Sequence, residues 1–264
     1  MTETDIQARF AAARVIAREA GGLALGYFRD YKALTVEFKD DRSQVSEADS
    51  AVEKLIGDRL WALFPEDAFL GEETGSRGLD GKAPGVWVVD PIDGTSCFVA
   101  GLPVWCVSIA YLAGGEVEIG VIFNPNADEM FTVSRGHGAH LNGDQIRCSQ
   151  ATSFSEGMVG IGHSPRLPPA PALAALERLL GEGGAYVEYG SAALMIAYVA
   201  AGRLLGYYEA HLNSWDCAAA LALARETGCW DNDFLAGDGL IRGNPIAVAA
   251  PGLAEGMKRV SGLG

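Results

Sequence analysis

Val86-Trp87-Val88-Val89 is an unbroken apolar run that leads directly into Asp90-Pro91-Ile92-Asp93-Gly94-Thr95. A short run without polar alternation reads as a strand buried on both faces. The chain can build the core this requires, since 49% of its 264 residues are hydrophobic. Pro91 forces an irregular exit from the strand. Asp90, Asp93 and the Ile92 carbonyl can then converge on one point at the strand end. These are hard oxygen donors of the kind that suit Mg²⁺. Gly94 and Thr95 present backbone N–H groups at the start of a short helix, where an oxyanion sits well. An ordinary Asp-rich turn after a strand has the same spelling, and this segment alone does not separate the two readings.

The surrounding pattern divides the chain. Residues 4–29 carry Ile6, Phe10, Ala13, Ala17 and Ala20 at helical spacing, ending near Gly26. Residues 49–64 form a second helix with Val52, Leu55, Ile56, Leu60 and Leu63 on one stripe, stopped by Pro65. A short strand, 68–70, precedes Gly71. Segments 104–112, 117–123 and 129–134 then read as an antiparallel meander, closed by a hairpin over 136–142 and 145–148. After a polar stretch at 149–157, strands are expected at 158–162, 185–189, 204–209 and 240–249. Helices are expected at 172–180, 191–201 and 214–227 and at the C-terminus, with a Pro-rich loop at 165–171. That alternation implies an α/β half. The expected domains are an α+β half over 1–150 and an α/β half over 151–264, forming one compact catalytic unit.

Charge narrows the partners. The chain has 34 acidic and 20 basic side chains, a formal net charge of −14. Nucleic acid and anionic membranes need a cationic face, so neither is expected as a partner. An anionic small substrate stays open if clustered carboxylates hold a cation. Five cysteines without a C-x-x-C pair argue against a disulfide framework and for a reducing compartment. The first residues lack the basic and apolar regions of a signal peptide, and the apolar stretch 192–202 is too short to span a bilayer. A cytoplasmic protein is the expectation.

Three further pieces carry acids in suggestive places. Gly71-Glu72-Glu73 follows a short strand, although paired acids in a Gly-flanked loop are usually just solvated. Ser214-Trp215-Asp216 opens a helix; Ser214 as N-cap with Asp216 at N2 is an adequate structural account. The polar loop Lys39-Asp40-Asp41-Arg42-Ser43-Gln44-Val45-Ser46-Glu47-Ala48-Asp49 delivers Asp49 to a helix start, which N-capping again explains. His137, His140 and Arg166 read as surface or loop residues. His211 lies between Glu209 and Asp216 and has no fixed role. Trp87, Phe98 and Trp105 read as core. Cys97 lacks a C-x5-R phosphatase loop.

Taken in order, S-x-V-S-E-A-D, G-E-E, W-V-V-D-P-I-D-G-T and Y-Y-E…W-D-x-A-A resemble the inositol monophosphatase family of lithium-sensitive, Mg²⁺-dependent phosphatases. The likeness runs from about Lys39 to Gly228. It implies a layered αβαβα sandwich of mixed α/β and α+β character, shared with fructose-1,6-bisphosphatase. It also implies two to three Mg²⁺. Glu72, Asp90 and the Ile92 carbonyl would hold the first, and Asp90, Asp93 and Asp216 the second. A third, weaker ion would share Glu72. Gly94 and Thr95 would donate N–H groups to phosphate, and Thr95 with Asp49 would activate water. Glu209, Ser191 and Ala192 would face the alcohol, with Asp216 at the edge of the substrate.

The implied reaction is hydrolysis of a small phosphorylated polyol or amino alcohol by metal-assisted in-line attack of water, with myo-inositol monophosphate the leading substrate. The enzyme would be inhibited by Li⁺ and work as a homodimer. Histidinol phosphate is the alternative substrate, followed by other sugar phosphates or nucleotide 3′-phosphates; a non-catalytic regulatory member is the reading of another class. Departures from the family pattern fall at Ser96-Cys97, Asn213, Ala220 and Glu226-Thr227-Gly228-Cys229. None removes a metal ligand. They leave the identity of the alcohol open.

Overall fold

The computed structural model describes residues 2–38, 44–164 and 166–263. Lys39 to Ser43 of the polar loop and Pro165 of the Pro-rich loop lie outside the described residues. Helix α1 (Glu3–Arg29) leads to a small hairpin, β1 (Val36–Phe38) with β2 (Gln44–Ser46), and then to α2 (Glu47–Leu63). Strands β3 (Ala68–Gly71), β4 (Gly75–Arg77) and β5 (Val86–Asp93) follow, and α3 (Thr95–Val99) starts at the end of β5. The meander comprises β6 (Cys106–Ala113), β7 (Glu116–Asn124), β8 (Glu129–Ser134), β9 (Ala139–Leu141) and β10 (Asp144–Gln145). These strands form one eight-stranded sheet in the order β10-β9-β8-β7-β6-β5-β3-β4, antiparallel except for the parallel β3–β5 pair.

The rest of the chain builds a second sheet. Its elements are β11 (Met158–Ile161), α4 (Ala170–Gly181), β12 (Ala185–Val187), α5 (Ala192–Ala200), β13 (Gly206–Leu212) and α6 (Ser214–Glu226). They end with β14 (Trp230–Asp231), α7 (Gly239–Arg242), β15 (Asn244–Ala249) and α8 (Ala254–Ser261). The strand order is β12-β11-β13-β15-β14.

Three cores separate five layers, α–β–α–β–α. The first lies between α1/α2 and the large sheet. The second holds α5 and α6 between the two sheets. The third lies between the small sheet and α4/α8. Period-two alternation sorts β5 between the first two: Trp87 and Val89 face α1/α2, while Val86 and Val88 face α5/α6. Trp87, Phe98 and Trp105 are all buried in the first core.

Helix α6 is buried on every side from Cys217 to Ala224 and rich in alanine, as a helix clamped between sheets must be. Its approach to β7 needs Gly120, where a Cβ would come 2.4 Å from the Ala219 carbonyl oxygen.

The boundaries differ from the sequence expectation in a few places. Helix α1 continues through Gly26 to Arg29, and β5 continues through Pro91 to Asp93 with a register shift between Asp90 and Asp93. The buried stripe of α2 is Ala48, Val52, Ile56 and Leu60, whereas Leu63 is 57% exposed. Residues 240–249 do not form one strand. The chain breaks at Gly243, with φ +69°, where a Cβ would lie 2.0 Å from the Leu212 carbonyl oxygen, so the short α7 precedes β15.

Candidate active site

An open cleft with about 750 Å³ of free space lies where the ends of β3, β5 and β13 meet the N-terminus of α6. Glu72, Asp90, Ile92, Asp93, Gly94, Thr95, Ala192, Glu209 and Asp216 all line it. One carboxylate oxygen each from Glu72, Asp90 and Asp216 falls within 4.8 Å of the others.

Each acid is placed by an identifiable local device. Glu72 follows β3, and its N–H bonds the Val89 carbonyl of parallel β5 at 3.2 Å, which brings it beside Asp90. Asp90 folds back to accept the Ile92 N–H at 2.9 Å, which sets the irregularity before Asp93. Asp93 accepts the Ala193 N–H at 2.8 Å and the Ser191 hydroxyl on the same Oδ2. It therefore ties the end of β5 to the start of α5. Asp216 sits at N3 of α6, with Asn213 as N-cap, and accepts the Asn213 N–H at 2.8 Å. The expected Ser214 cap is corrected by this; the Ser214 hydroxyl instead donates to the Leu240 carbonyl at 2.7 Å. Asp49 is N3 of α2 under a Ser46 cap, accepting the Ser46 N–H at 2.8 Å and hydroxyl at 2.7 Å on Oδ2. Its Oδ1 faces the Thr95 hydroxyl at 3.3 Å. Capping and site construction are thus both true of Asp49 and Asp216.

Gly94 has φ +97°, and a Cβ there would come 2.9 Å from the Val104 carbonyl oxygen. Only glycine makes this turn without strain. The turn starts α3 with the Gly94 and Thr95 backbone at the cleft wall.

Burial and mutual repulsion set the electrostatics. Burial pushes Asp90 well above the ordinary carboxyl range, reinforced by the charges of Glu72, Asp93, Asp216 and Asp49. Burial raises Asp93 to about 6, opposed by its Ser191 and Ala193 hydrogen bonds. Asp49 is also raised by burial, against the Ser46 bonds. Glu209 is raised by burial to about 8, although the Tyr207 hydroxyl donates to its Oε2 at 2.5 Å. Arg166 Nη2 lies 3.7 Å from Asp216 Oδ2. Arg166 brings a guanidinium to the edge of the cluster formed by Asp49, Glu72, Asp90, Asp93 and Asp216. Largely buried carboxylate oxygens that converge at the wall of an open cleft fit a hard divalent cation.

Ser191 is the one expected substrate-facing residue that is turned inward. It is fully buried, donates to Asp93 and caps α5 by accepting the Leu194 N–H at 3.3 Å. Arg166, expected as a solvated loop charge, is brought into the cleft wall, held by the Ser164 hydroxyl at 2.8 Å. Glu53 had not been singled out. It is 1% exposed and accepts the Glu73 and Thr74 N–H groups at 2.9 and 2.7 Å, fixing the loop that carries Glu72. Its signal was present: 49, 53, 56 and 60 share one helical face. His163, Gln44 and Glu188 also line the cleft. His211 turns to the Arg242 carbonyl at 2.9 Å, and His137 pairs with Glu3 at the surface. Cys97 bonds the Tyr189 carbonyl, and its thiol is raised by burial and by Asp93 and Glu188.

The profile of the inositol monophosphatase family matches residues 5–256. The chain belongs to this family. It is accordingly a phosphatase among the hydrolases. An inositol-1-monophosphatase of Rhizobium meliloti is 36% identical over 258 residues, covering 97% of this chain and 93% of that protein. A Nus factor SuhB of Xylella fastidiosa is 39% identical, covering 84% and 80%. The crystal structure of an extragenic suppressor protein suhB from Bartonella henselae superposes with a TM-score of 0.89 at 32% identity, covering 96% of this chain and 98% of that one. Among the described residues, no helix is long and apolar enough to cross a membrane.

Proposed function

We propose that the chain hydrolyses a small polyol monophosphate, with myo-inositol monophosphate as the leading substrate, in a Mg²⁺-dependent and Li⁺-sensitive reaction. The observation that carries this reading is the convergence of Glu72, Asp90 and Asp216 within 4.8 Å beside the Gly94–Thr95 turn. Glu72, Asp90, Asp93, Asp216 and the Ile92 carbonyl are the donors for two to three ions. Bound there, Mg²⁺ supplies neutralisation of the phosphate dianion, acidification of water and stabilisation of the leaving alkoxide.

The chain's own groups do the rest. The N–H groups at Gly94 and Thr95 orient the phosphate. The Thr95 hydroxyl has one proton and two acceptors, the Ile92 carbonyl at 3.0 Å and Asp49 at 3.3 Å. A water donating to Thr95 Oγ1 can pass a proton through it to Asp49, whose raised pKa makes it a better acceptor than an exposed carboxylate. Glu209 and Ala192 stand on the alcohol side. Glu209, whose carboxyl is pushed up by burial, offers its carboxyl oxygens to a substrate hydroxyl. No covalent intermediate is required.

Phosphate release from myo-inositol 1-phosphate and histidinol phosphate, assayed side by side with Mg²⁺, tests the assignment. A clear preference for the inositol ester supports it; equal and poor rates on both sink it.

Several relatives are named Nus factor SuhB, which favours a second reading in which the fold also serves as a binding partner of other proteins. Asp93→Asn separates the two, since it removes turnover and leaves a docking surface intact.

A further inference from the structure

Outside the cleft, Cys148 and Cys229 meet at the C-terminal end of α6. Cys148 lies on the connector between the two sheets, just after β10, and Cys229 follows α6 by way of Gly228. Both are free thiols. Cys148 Sγ donates to the Thr227 carbonyl at 3.1 Å, and Thr227 Oγ1 is 3.6 Å from Cys229 Sγ. Residues 81 positions apart in sequence therefore bring their sulfurs against the same residue, Thr227. We propose that Cys148 and Cys229 are a redox site, oxidised by a peroxide to a disulfide that staples the connector between the sheets to the end of α6.

Four observations favour this pair over the remaining thiols. Both sulfurs already contact Thr227, which places them on the two sides of one residue where an S–S bond of about 2.05 Å would form. Interaction with Cys229 draws the Cys148 thiol below the ordinary thiol range. Cys106 and Cys217 are fully buried, and burial pushes both thiols well up. Cys97 is raised by burial and by the facing carboxylates.

The chemistry balances. The Cys148 thiolate attacks one peroxide oxygen; the S–O bond forms, the O–O bond breaks, and the departing hydroxide takes up the proton Cys148 released. Cys229 sulfur then attacks the sulfenic sulfur. The S–S bond forms, the S–O bond breaks, and hydroxide leaves with the Cys229 proton as water. Two thiols are oxidised by two electrons, and one hydrogen peroxide is reduced to two waters.

The test is non-reducing peptide mapping of the full chain after exposure to hydrogen peroxide and blocking with N-ethylmaleimide. The expected result is a peptide pair joining residues 148 and 229, lighter by two hydrogens and separated by dithiothreitol. Cys229→Ser should stop at a sulfenic acid on Cys148, captured by dimedone. Oxidation confined to Cys97, with both Cys148 and Cys229 alkylated, overturns the proposal. The wild-type map stands whether or not the variant folds.

Discussion

Asp49 Oδ1 lies 3.3 Å from the Thr95 hydroxyl, while Oδ2 of the same carboxylate caps α2 through Ser46. One side chain thus fixes a helix start and faces the strand end where the chemistry is proposed. If the Thr95–Asp49 pair relays a proton, Asp49→Asn and Thr95→Ala should each lower kcat by about 10²-fold or more. Stability should stay within about 1 kcal/mol, because an amide still accepts the capping bonds. Phosphate release alongside urea unfolding checks both halves.

Glu53 is predicted to act through the loop it holds. Glu53→Ala leaves the Glu73 and Thr74 N–H groups without their acceptor, so stability should fall by about 2 kcal/mol. Displacing Glu72 should weaken Mg²⁺ activation by about 10-fold or more. Glu53→Gln should rescue poorly, since its NH₂ faces a donor. A Mg²⁺ titration of activity that matches wild type contradicts this.

Asp90 carries a stability cost that the ion is expected to relieve. Burial and the Glu72, Asp93 and Asp216 charges all raise its pKa. Asp90→Asn should therefore raise the melting temperature of the metal-free protein, reduce the shift produced by Mg²⁺, and lower turnover by orders of magnitude. A metal-free variant that melts below wild type would contradict the repulsion argument.

The pH dependence has a definite sign. A carboxyl whose pKa is raised by folding binds its proton more tightly in the folded state. Its contribution is present below the unfolded pKa and is lost as pH rises through the folded value. For Asp93 that window runs from 3.8 to about 6, and for Glu209 from 4.5 to about 8. The metal-free protein should lose stability from these groups across that range. The rise in melting temperature with millimolar Mg²⁺ should be larger at pH near 8 than near 5. Scanning calorimetry with and without Mg²⁺ at both pH values tests this; an equal shift contradicts it.

Much of the site was legible because its parts are short and contiguous. The run from Val86 to Thr95 spells a two-face-buried strand and its acidic end, and both cores that receive it are present. Asp216 and Glu72 were legible as acids at element ends, although the N-cap is Asn213. Arg166 was not, because its place in the cleft is set by an approach to Asp216, 50 positions away, a long-range event that loop composition does not encode. Ser191 was misplaced for a similar reason: a hydroxyl at a helix start can face the cavity or the neighbouring strand, and Asp93 decides which. The 240–249 strand failed at Gly243, where close approach of Leu212 breaks an otherwise apolar run.

Phosphate release from myo-inositol 1-phosphate, followed as Mg²⁺ is titrated into metal-free protein, tests the central claim most directly. The convergence of Glu72, Asp90 and Asp216 predicts no turnover with EDTA, saturable activation by millimolar Mg²⁺, and loss of activation in Asp216→Asn. Turnover that persists in EDTA, or that Asp216→Asn leaves unchanged, would contradict it.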